Sequence, residues 1–354
     1  MKSNLKFFKN SKSLTVDRFF NNVLFDKKNG YYSKKNPIGK NGDFVTSPQI
    51  SNLFSEIIAI WLISAWEILG KPKIFNIVEL GPGEGSLVKN ILKTFERFPE
   101  FDSIKKIYLF EKSQLLIRIQ KQKVKSTKVQ WIKNFKKINK GPVIFFGNEF
   151  FDAIPIKQFK REKNLLLEKH FILDNNYAIK KVFKKASFRD QKIINSYVCL
   201  KKLNYIEFPM LGMQNLKKIL KKVLRLGGCI LFIDYGYLKS NNQDTLQSVK
   251  SHGKNFTLKN LGKADITSHV NFGLLTEFFK KNGLKVEKVV TQNFFLKRMG
   301  IIERAEMISK KMKFIDKTNL YLRLKRILGE RLMGSLFKVI CAHNFKNKNF
   351  LGFK

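Results

Sequence analysis

A short glycine-rich stretch constrains the fold of the chain more than any other part of the sequence. An apolar, β-branched run leads into an acid, a glycine then stands at every second position, and an amphipathic segment follows. This order predicts a β-strand, a tight turn and an α-helix, because glycine permits a sharp bend and lets the backbone approach a ligand closely. The residues are Ile77, Val78, Glu79, Leu80, Gly81, Pro82, Gly83, Glu84, Gly85, Ser86 and Leu87.

The acid before the turn indicates the ligand. A dinucleotide-binding turn has the spacing G-x-G-x-x-G and cradles an anionic pyrophosphate, whereas here Glu79 stands two residues before Gly81. S-Adenosylmethionine carries an ammonium and a sulfonium group, which a carboxylate attracts. The spacing resembles the first motif of class I methyltransferases and predicts S-adenosylmethionine as the cofactor, held by Glu79, Gly81, Gly83 and Gly85. A glycine-rich turn without a ligand is the alternative.

The composition is that of a globular protein with a large basic excess. Of the 354 residues, 44% are hydrophobic and 27% are charged, which suits one large α/β domain with insertions or two domains. The formal net charge of +42 makes a nucleic-acid partner possible. We favour a compositional bias, because the lysines are spread along the whole chain. An acidic protein partner is a lesser alternative.

Cysteine usage and hydropathy bear on the compartment. Cys199, Cys229 and Cys341 lie far apart, which favours a reducing compartment over a disulfide framework or a zinc site, and we predict no metal site. The longest apolar run, residues 57–69, has about 13 residues, short of the roughly 20 that span a membrane. The N-terminus has some features of a targeting segment but no cleavage site, so we expect an ordinary cytoplasmic start.

Two further predicted strands provide side chains suited to binding a nucleoside. Residues 107–110 form a short apolar run that leads to Glu111, and an acid at this point of a nucleoside-binding fold takes the ribose hydroxyls. A helix-capping role for Glu111 is the alternative. Residues 129–132 predict a third strand, in which Trp131 is either a wall for adenine or a core tryptophan.

Polar side chains also follow the fourth predicted strand, residues 143–146. Asn148, Glu149 and Asp152 come next, interleaved with two phenylalanines. Ligands of open α/β sheets bind at the carboxyl ends of the strands. We therefore predict that this stretch carries chemistry, with a solvated loop as the alternative.

One loop near the N-terminus is richer in functional groups than a connector requires. Residues 36–48 combine turn formers with hydroxyls and an acid, Asp43. We predict that Thr46 and Ser47 contact the cofactor. Ser47 is also expected to cap the following helix, with Pro48 in its first turn.

The order of strand and helix signals predicts an α/β fold of class I methyltransferase (Rossmann-like) type, with a doubly wound, mostly parallel sheet. Helices are predicted over residues 14–25, 49–69, 113–124, 211–226, 274–282 and 302–329, and later strands over 229–233, 286–291 and 334–341. The predicted parts are an N-terminal helical and loop extension that covers the site (1–70), a cofactor-binding core (71–155), a strand-rich insertion (156–210) and the second half of the core (211–354) with a loop insertion (236–272).

Seven blocks of sequence, in one order along nearly the whole chain, match a known family. They are Gly30-Tyr31-Tyr32, Gly42-Asp43-Phe44-Val45-Thr46-Ser47-Pro48, Glu79-Leu80-Gly81-Pro82-Gly83, Asn148-Glu149-Phe150-Phe151-Asp152-Ala153, Asp234-Tyr235-Gly236, Ala264-Asp265-Ile266-Thr267 and Met333-Gly334-Ser335-Leu336-Phe337-Lys338-Val339. The chain thereby resembles the MidA/NDUFAF7 family of S-adenosylmethionine-dependent protein-arginine methyltransferases. Gln49, Glu84 and Asn271 depart from the pattern expected of that family, where Glu, Arg and Asp are usual.

The resemblance implies a fold, a substrate and a compartment. The fold is that of a class I methyltransferase with a family-specific insertion. The substrate is an arginine in the complex I (NADH:quinone oxidoreductase) subunit homologous to the 49-kDa protein, whose methylation aids assembly. The compartment is the bacterial cytoplasm, or the mitochondrial matrix in a eukaryote.

Arginine methylation requires carboxylates, because a guanidinium stays protonated and its lone pairs are delocalised. Carboxylates bind it in bidentate fashion and take up charge as the proton leaves. Glu149 and Asp152 are the first candidates, and Asn148 is placed to direct an oxygen at the reacting nitrogen. The supporting candidates are Asp43, Asp234 and Asp265.

Three other functions stay open from sequence alone. An RNA methyltransferase, prompted by the charge, would bind RNA with a steep salt dependence, although no RNA-binding signature is present. A non-catalytic assembly factor would bind the cofactor and hold a respiratory subunit without turnover. A nicotinamide dehydrogenase is disfavoured by the glycine spacing.

Overall fold

The computed structural model describes residues 4–34, 42–43, 46–163, 165–239, 242–346 and 349–354, without the side chain of residue 104. The chain forms two compact units, each assembled from three separate stretches. The insertion unit consists of Met1–Phe44, Phe151–Lys217 and Tyr237–Phe278, and the core unit consists of Val45–Phe150, Lys218–Gly236 and Phe279–Lys354. The boundaries of the four parts expected from sequence stay a prediction.

The core unit is built on a mostly parallel sheet. Its strands are β1 (Phe75–Leu80), β2 (Lys105–Phe110), β3 (Val129–Ile132), β4 (Val143–Asn148), β5 (Gly228–Tyr237), β6 (Lys285–Val286), β7 (Val290–Thr291) and β8 (Phe337–His343). The order across the sheet is β6-β8-β5-β4-β1-β2-β3, and β7 also pairs with β8. Strands β1 to β5 pair in parallel, whereas β8 runs antiparallel to β5. The predicted fold class is confirmed.

Burial on both faces explains why the central strands are continuous apolar runs. All six residues of β1 are buried, as are the first five of β4, which is the pattern of a parallel sheet covered by helices on both sides. The long helix Asn52–Ile68 is buried along most of its length, including Trp61 and Trp66. The helices of this unit are Ser47–Ile50, Asn52–Ile68, Ser86–Phe95, Pro99–Ile104, Gln114–Val124, Gln292–Arg298, Ile301–Ser309, Phe314–Leu328 and Met333–Leu336, with the second half of Met210–Leu226.

The insertion unit contains two antiparallel sheets. The larger follows the order Ser13–Thr15, Leu165–Leu173, Lys157–Glu162 and Tyr205–Phe208, with Ile179–Lys185 also paired to Leu165–Leu173. The smaller is formed by Gly253–Asn255, Gln247–Lys250 and Asp265–Thr267. The helices of this unit are Leu5–Phe8, Val16–Phe25, Tyr31–Lys34, Phe188–Asn195 and a 3-10 turn at Val198–Leu200, with the start of Met210–Leu226 and most of Phe272–Lys281. A strand-rich insertion is therefore confirmed.

An aromatic cluster holds the N-terminal helix to the larger sheet of the insertion unit. Phe19 and Phe20 lie on the helix Val16–Phe25, and both rings contact Phe171 of the strand Leu165–Leu173, with centroids 4.9 and 5.6 Å apart. All three side chains are buried, and aromatic pairs at these separations contribute beyond the area they bury.

Several element boundaries differ from those expected. The first helix begins at Val16 rather than Leu14, because Ser13–Thr15 pairs as a strand with residues 170–172. The single helix expected over residues 49–69 is interrupted at Ser51, whose φ of −144° and ψ of 126° are extended. Serine in this conformation is a favourable start for a second helix.

Further differences lie in the second half of the chain. The strand expected over residues 286–291 is two short strands, and residues 334–336 belong to a helical turn before β8. The insertion over residues 236–272 is more than a loop, since it contains the smaller sheet. Of the loop expected over residues 36–48, positions 36–41, 44 and 45 lie outside the described residues. Among the helices described, none combines the length and apolar character needed to cross a membrane.

Gly228, the first residue of β5, provides a test of the core sheet. Its φ is +143°, and a Cβ at this position would lie 1.9 Å from the Val143 carbonyl oxygen. We expect Gly228→Ala to lower the free energy of unfolding by at least about 2 kcal/mol, through strain and overlap. Gly253→Ala is the matched control, because its Cβ would meet nothing nearer than 3.5 Å. Equal denaturation midpoints for the two variants would contradict this account.

Candidate functional site

The glycine turn joins β1 to the helix Ser86–Phe95. Gly81, Gly83 and Gly85 all have positive φ, at +63°, +56° and +80°. A Cβ on Gly81 would lie 2.7 Å from Cδ2 of Phe150, so a side chain at this position would meet both backbone strain and a ring. The Gly81 N–H donates to the Phe110 carbonyl at 3.0 Å and thereby fixes the turn against the end of β2.

Glu79 is a buried acid in the middle of the sheet. Its side chain lies near the carboxyl end of β1 and the residue is 3% exposed. No hydrogen-bond partner for its Oε2 exists among the described residues. Burial, followed by the charge of Glu111, raises the pKa of Glu79 to about 8. Within the described part of the chain, this oxygen therefore has no donor or positive charge to stabilise its ionised form.

Glu111 follows the end of β2 and is held by its own turn. Its Oε1 accepts from the backbone N–H groups of Lys112 and Ser113 at 2.7 and 2.8 Å. Ser113, whose Oγ accepts from Leu116, caps the next helix. Burial raises the pKa of Glu111, although these hydrogen bonds oppose the shift.

Gln120 is a site residue that was not predicted from the sequence. Its Nε2 donates to the Gly83 carbonyl at 2.7 Å and to Glu111 Oε2 at 3.4 Å, and its Oε1 accepts from Trp131 Nε1 at 2.8 Å. One buried amide thus joins the glycine turn, the predicted ribose acid and the predicted adenine wall. A signal was present, since Leu116, Gln120 and Val124 share one buried helix face at a spacing of four.

The short helix Ser47–Ile50 begins differently from the expectation. Thr46, rather than Ser47, is its N-cap, in a reciprocal capping box with Gln49. The box needs a hydroxyl three residues before a Glu or Gln, and only Thr46 satisfies that spacing. Ser47 is the first helical residue, and its buried Oγ has no hydrogen-bond partner in the described part of the chain.

Glu149 has unusual backbone geometry at the end of β4. Its φ is +52°, a left-handed conformation that is strained for a residue with a side chain. Its Oε1 accepts from Asn148 Nδ2 at 3.1 Å and from the Ser47 N–H at 3.4 Å. Oδ1 of Asn148 is buried without a partner among the residues described. Asp234, on β5, is buried, and its Oδ1 accepts from the Tyr235 N–H at 2.9 Å.

Two of the residues that depart from the family pattern contact each other. Gln49 Nε2 donates to Glu84 Oε2 at 2.9 Å. Lys123 donates to the same oxygen and to Ser86 Oγ, both at 2.8 Å. The acid that Glu84 adds beside the turn is thus paired with a lysine. Asn271 accepts from the Leu274 N–H at 2.9 Å, at the start of the helix Phe272–Lys281.

The insertion unit contains its own group of buried acids and tyrosines. Tyr31 donates to Asp43 Oδ2 at 2.6 Å, and Tyr32 donates to Asp265 Oδ1 at 3.2 Å. Asp152 is buried, and its carbonyl accepts from the Ser268 N–H. Burial, followed by the charge of Asp152, raises the pKa of Asp265 to about 7. Within the described residues, no group of three or more His, Cys, Asp or Glu side chains is arranged to hold a metal ion.

The predicted site residues fall into two groups, one in each unit. The core unit holds Glu79, Gly81, Gly83, Gly85, Glu111, Trp131, Thr46, Ser47, Asn148, Glu149 and Asp234, and the insertion unit holds Asp43, Asp152 and Asp265. The roles of these residues stay predictions.

Comparison with protein families decides the class of protein. Residues 57–290 match Methyltransf_28, a family described as S-adenosyl-L-methionine-dependent methyltransferases. The chain belongs to this family. It is therefore a methyltransferase that uses S-adenosylmethionine, as the acid before the glycine turn predicts.

Named relatives are similar along most of the chain. The mitochondrial protein arginine methyltransferase NDUFAF7 of Xenopus laevis is 29% identical over 327 residues, covering 86% of this chain and 74% of the relative. The human protein of the same name is 28% identical over 347 residues, covering 88% and 74%.

Solved structures share the fold of this methyltransferase. A Burkholderia thailandensis protein bound to S-adenosyl-homocysteine aligns with a TM-score of 0.81 at 19% identity, covering 100% of this chain and 92% of that one. A second crystal structure from that organism gives 0.78 at 20% identity, covering 100% and 91%.

The core unit of the methyltransferase offers groups that suit its cofactor. Glu79 Oε2, Asn148 Oδ1 and Ser47 Oγ are buried polar atoms that lack a hydrogen-bond partner within the described residues. Asn148 Oδ1 is an acceptor only, and the Glu79 carboxyl becomes one when it ionises, whereas a ligand carrying ammonium and sulfonium groups brings positive charge and donors. The residues present therefore fit S-adenosylmethionine.

Replacing Glu79 with Gln should separate stability from cofactor binding. The pKa of this carboxyl is raised from 4.5 to about 8, so the folded state keeps a proton that the unfolded state has lost. Stability therefore falls as pH rises through this window, by on the order of a few kcal/mol in total. We expect Glu79→Gln to unfold at higher temperature than the native chain at pH 8, with a smaller difference at pH 5.

The same variant should lose affinity for S-adenosylmethionine by at least about tenfold, because a buried charge partner is gone. Calorimetric titration and thermal denaturation across this pH range are the measurements. Glu100→Gln, at an exposed position, is the control and should change neither quantity. Unchanged affinity in Glu79→Gln would contradict the assignment of this carboxylate to the cofactor.

Gln120→Ala should weaken cofactor binding indirectly, through residues that Gln120 supports. The change removes the acceptor for Trp131 Nε1 and the donor to Gly83, so both the predicted adenine wall and the turn lose their support. We expect affinity for S-adenosylhomocysteine to fall about fivefold to tenfold. Gln122→Ala, at an exposed position of the same helix, should bind as the native chain does. Equal binding by the two variants would remove Gln120 from the site.

Proposed function

We propose that the chain is a protein arginine methyltransferase that acts on the 49-kDa-type subunit of respiratory complex I and aids its assembly. The proposal is supported by the relatives named protein arginine methyltransferase, which are similar along most of the chain. It is supported chemically by the buried acids of the insertion unit. The observation that carries it is that Tyr31 and Tyr32 donate hydrogen bonds to Asp43 and Asp265, which hold two buried carboxylates in place within one unit.

In the core unit, the residues that would hold the cofactor are Glu79, the turn glycines and Glu111. When bound, S-adenosylmethionine supplies a methyl group on a positively charged sulfur. Glu79 would balance the positive charge of the cofactor. Gln120 and two backbone N–H groups orient Glu111, which would accept hydrogen bonds from the ribose hydroxyls. Gly81 would keep side-chain atoms away from the ligand.

In the insertion unit, Asp43, Asp152 and Asp265 would bind the guanidinium. A guanidinium has five N–H donors in a plane and pairs with carboxylates through two parallel hydrogen bonds. The Tyr31 and Tyr32 hydroxyls donate to Asp43 and Asp265 and hold these carboxylates in place. Burial, followed by the charge of Asp152, raises the pKa of Asp265 to about 7, and a cationic side chain beside it would favour the ionised carboxylate.

The same raised pKa suits the proton that arginine must lose. Transfer of a methyl group to a guanidinium nitrogen leaves a proton to be removed, and a carboxylate with a pKa near the working pH accepts it more readily than an ordinary one. Asp265 is therefore our candidate for the group that takes up the proton. In the core unit, Glu149 stays the first candidate among the acids, with Asn148 as its neighbour.

The function requires a compartment in which complex I is assembled. We infer the bacterial cytoplasm, or the mitochondrial matrix in a eukaryote. The relatives named above are mitochondrial proteins. Cys229 and Cys341 are free thiols, as a reducing compartment maintains.

The test is methylation of the purified 49-kDa-type subunit by the purified chain with methyl-labelled S-adenosylmethionine, followed by peptide mass spectrometry. We expect label on an arginine. Asp265→Asn should lower the rate by at least about a hundredfold, because charge stabilisation and the proton acceptor are lost, while its cofactor affinity stays within about twofold of the native value.

Glu162→Gln is the control in the same unit, since Glu162 is a surface acid paired with Lys160, and it should keep the native rate. Label on a residue other than arginine would reject the arginine assignment. Label on RNA instead of protein, with binding that falls steeply with salt, would favour the RNA methyltransferase. Cofactor binding without turnover of any acceptor would favour a non-catalytic assembly role.

A further inference from the structure

The helix pair Ile301–Ser309 and Phe314–Leu328 of the core unit carries an exposed segment. Residues 310–319, which we name the basic tip, are all exposed, although positions 314–319 are already helical. The buried residues of the second helix are Leu324, Ile327 and Leu328, all near its C-terminal end. The helix therefore packs through its C-terminal half, and its N-terminal half faces solvent.

The basic tip combines large apolar side chains with lysines. Phe314 is 83% exposed and Ile315 is 72% exposed, and Met312 is also exposed. Two turns later on the helix, Leu322 is exposed on the same face as Ile315. The charged residues of the segment are Lys310, Lys311, Lys313, Asp316 and Lys317. A monomeric surface tolerates single exposed apolar residues, but adjacent ones in a basic setting mark a contact site.

This mixture fits one kind of surface better than others. The core of a protein–protein interface is depleted of lysine, whereas here lysines alternate with apolar residues. Nucleic-acid phosphates attract lysine and bases stack on phenylalanine, but neither gives the aliphatic Ile315 an apolar environment. The headgroup region of an anionic bilayer accepts both, because apolar side chains enter the acyl boundary while lysine stems extend to the phosphates.

We propose that the basic tip docks the methyltransferase on the surface of an anionic lipid bilayer. Phe314 and Ile315 enter the interface, and the lysines bind lipid phosphates. The formal net charge of +42 supplies long-range attraction to such a surface. This docking is independent of which residue the enzyme methylates.

The test uses the full chain and two vesicle preparations, one of phosphatidylcholine alone and one of phosphatidylcholine with phosphatidylglycerol in roughly equal amounts. Sedimentation should recover the chain with the anionic vesicles, and binding should fall as salt rises from about 0.05 M to about 0.5 M. The double change Phe314→Asp and Ile315→Asp should lower the partition coefficient by at least about tenfold. Acids in the first turn of a helix are favourable, so this variant is expected to fold.

Phe188→Asp is the matched control, because Phe188 is also 83% exposed but lies in the insertion unit. It introduces one acid at an equally exposed phenylalanine and should bind vesicles within about twofold of the native chain. A second variant, with Lys310, Lys311 and Lys313 changed to Gln, should lose the preference for anionic over neutral vesicles. Cofactor affinity, measured for every variant, should stay native and reports correct folding.

Vesicle binding that is equal in the native chain and the double variant would overturn the proposal, as would equal loss in Phe188→Asp. Binding of RNA that falls in the lysine variant while vesicle binding is unchanged would assign the basic tip to nucleic acid. Arginine methylation of a soluble acceptor by the double variant at the native rate would leave the proposed activity intact, so the two hypotheses fail separately.

Discussion

A single buried carboxylate sets the requirements for the rest of the core unit. Glu79 lies on β1, between β4 and β2, where every residue of the strand is buried. Burying an ionised acid costs free energy. The cost is avoided below pH 8, because burial raises the pKa of Glu79 to about 8 and its carboxyl stays protonated. A core selected for stability alone would place an apolar residue here. A strand that carries such a group is typical of a binding site, where local rules are broken for function.

A neutral amide, rather than an ion, joins the groups around this carboxylate. Gln120 both donates and accepts, so it joins the Gly83 carbonyl to Glu111 and Trp131 without adding a charge beside Glu79. A lysine at position 120 would place a positive charge beside Glu111 and weaken the attraction for a cationic ligand. Uncharged residues keep the carboxylates available while still satisfying the buried groups around them.

The sequence was informative where local rules determine structure. The strand, the glycine turn and the helix after Glu79 follow from residue order, because periodicity and glycine geometry act within a few residues. The end of each element was less predictable. Thr46 and Ser47 are both good caps, and the choice depends on Gln49 reaching back to the Thr46 N–H.

Contacts between distant positions were not predictable at all. Tyr32 and Asp265 are 233 residues apart in the chain, and a local pattern carries no information on such a pair. Gln120 was partly predictable, since a polar residue on a buried helix face indicates that it has a hydrogen-bond partner but not which residue that partner is. Sequence therefore predicts which residues are available for chemistry, and folding decides which of them meet.

The basic composition makes the two acidic sites more informative. With 69 Lys and Arg residues against 27 Asp and Glu, a randomly placed buried acid would usually find a cation. That is what happens at Glu168, where burial raises the pKa but hydrogen bonds from His170 and Lys157 more than reverse the shift. Lys169 likewise lowers the pKa of Asp244 by a hydrogen bond and by its charge, although burial acts to raise it. Glu79 and Asp265 show the opposite result, since their pKa values are raised.

At Glu79 and Asp265, as also at Glu207, no cation reverses the effect of burial on the pKa, although the protein has cations in excess. In the core unit, Glu79 suits a cationic cofactor. In the insertion unit, Asp265 suits the cationic side chain that we propose as the acceptor. A compositional bias acts on the whole sequence, so it would account for the number of lysines but not for the lack of a cation that lowers the pKa of Glu79 or Asp265. This local arrangement is a property of the fold, and it supports both the cationic cofactor in the core unit and the cationic acceptor that we propose for the insertion unit.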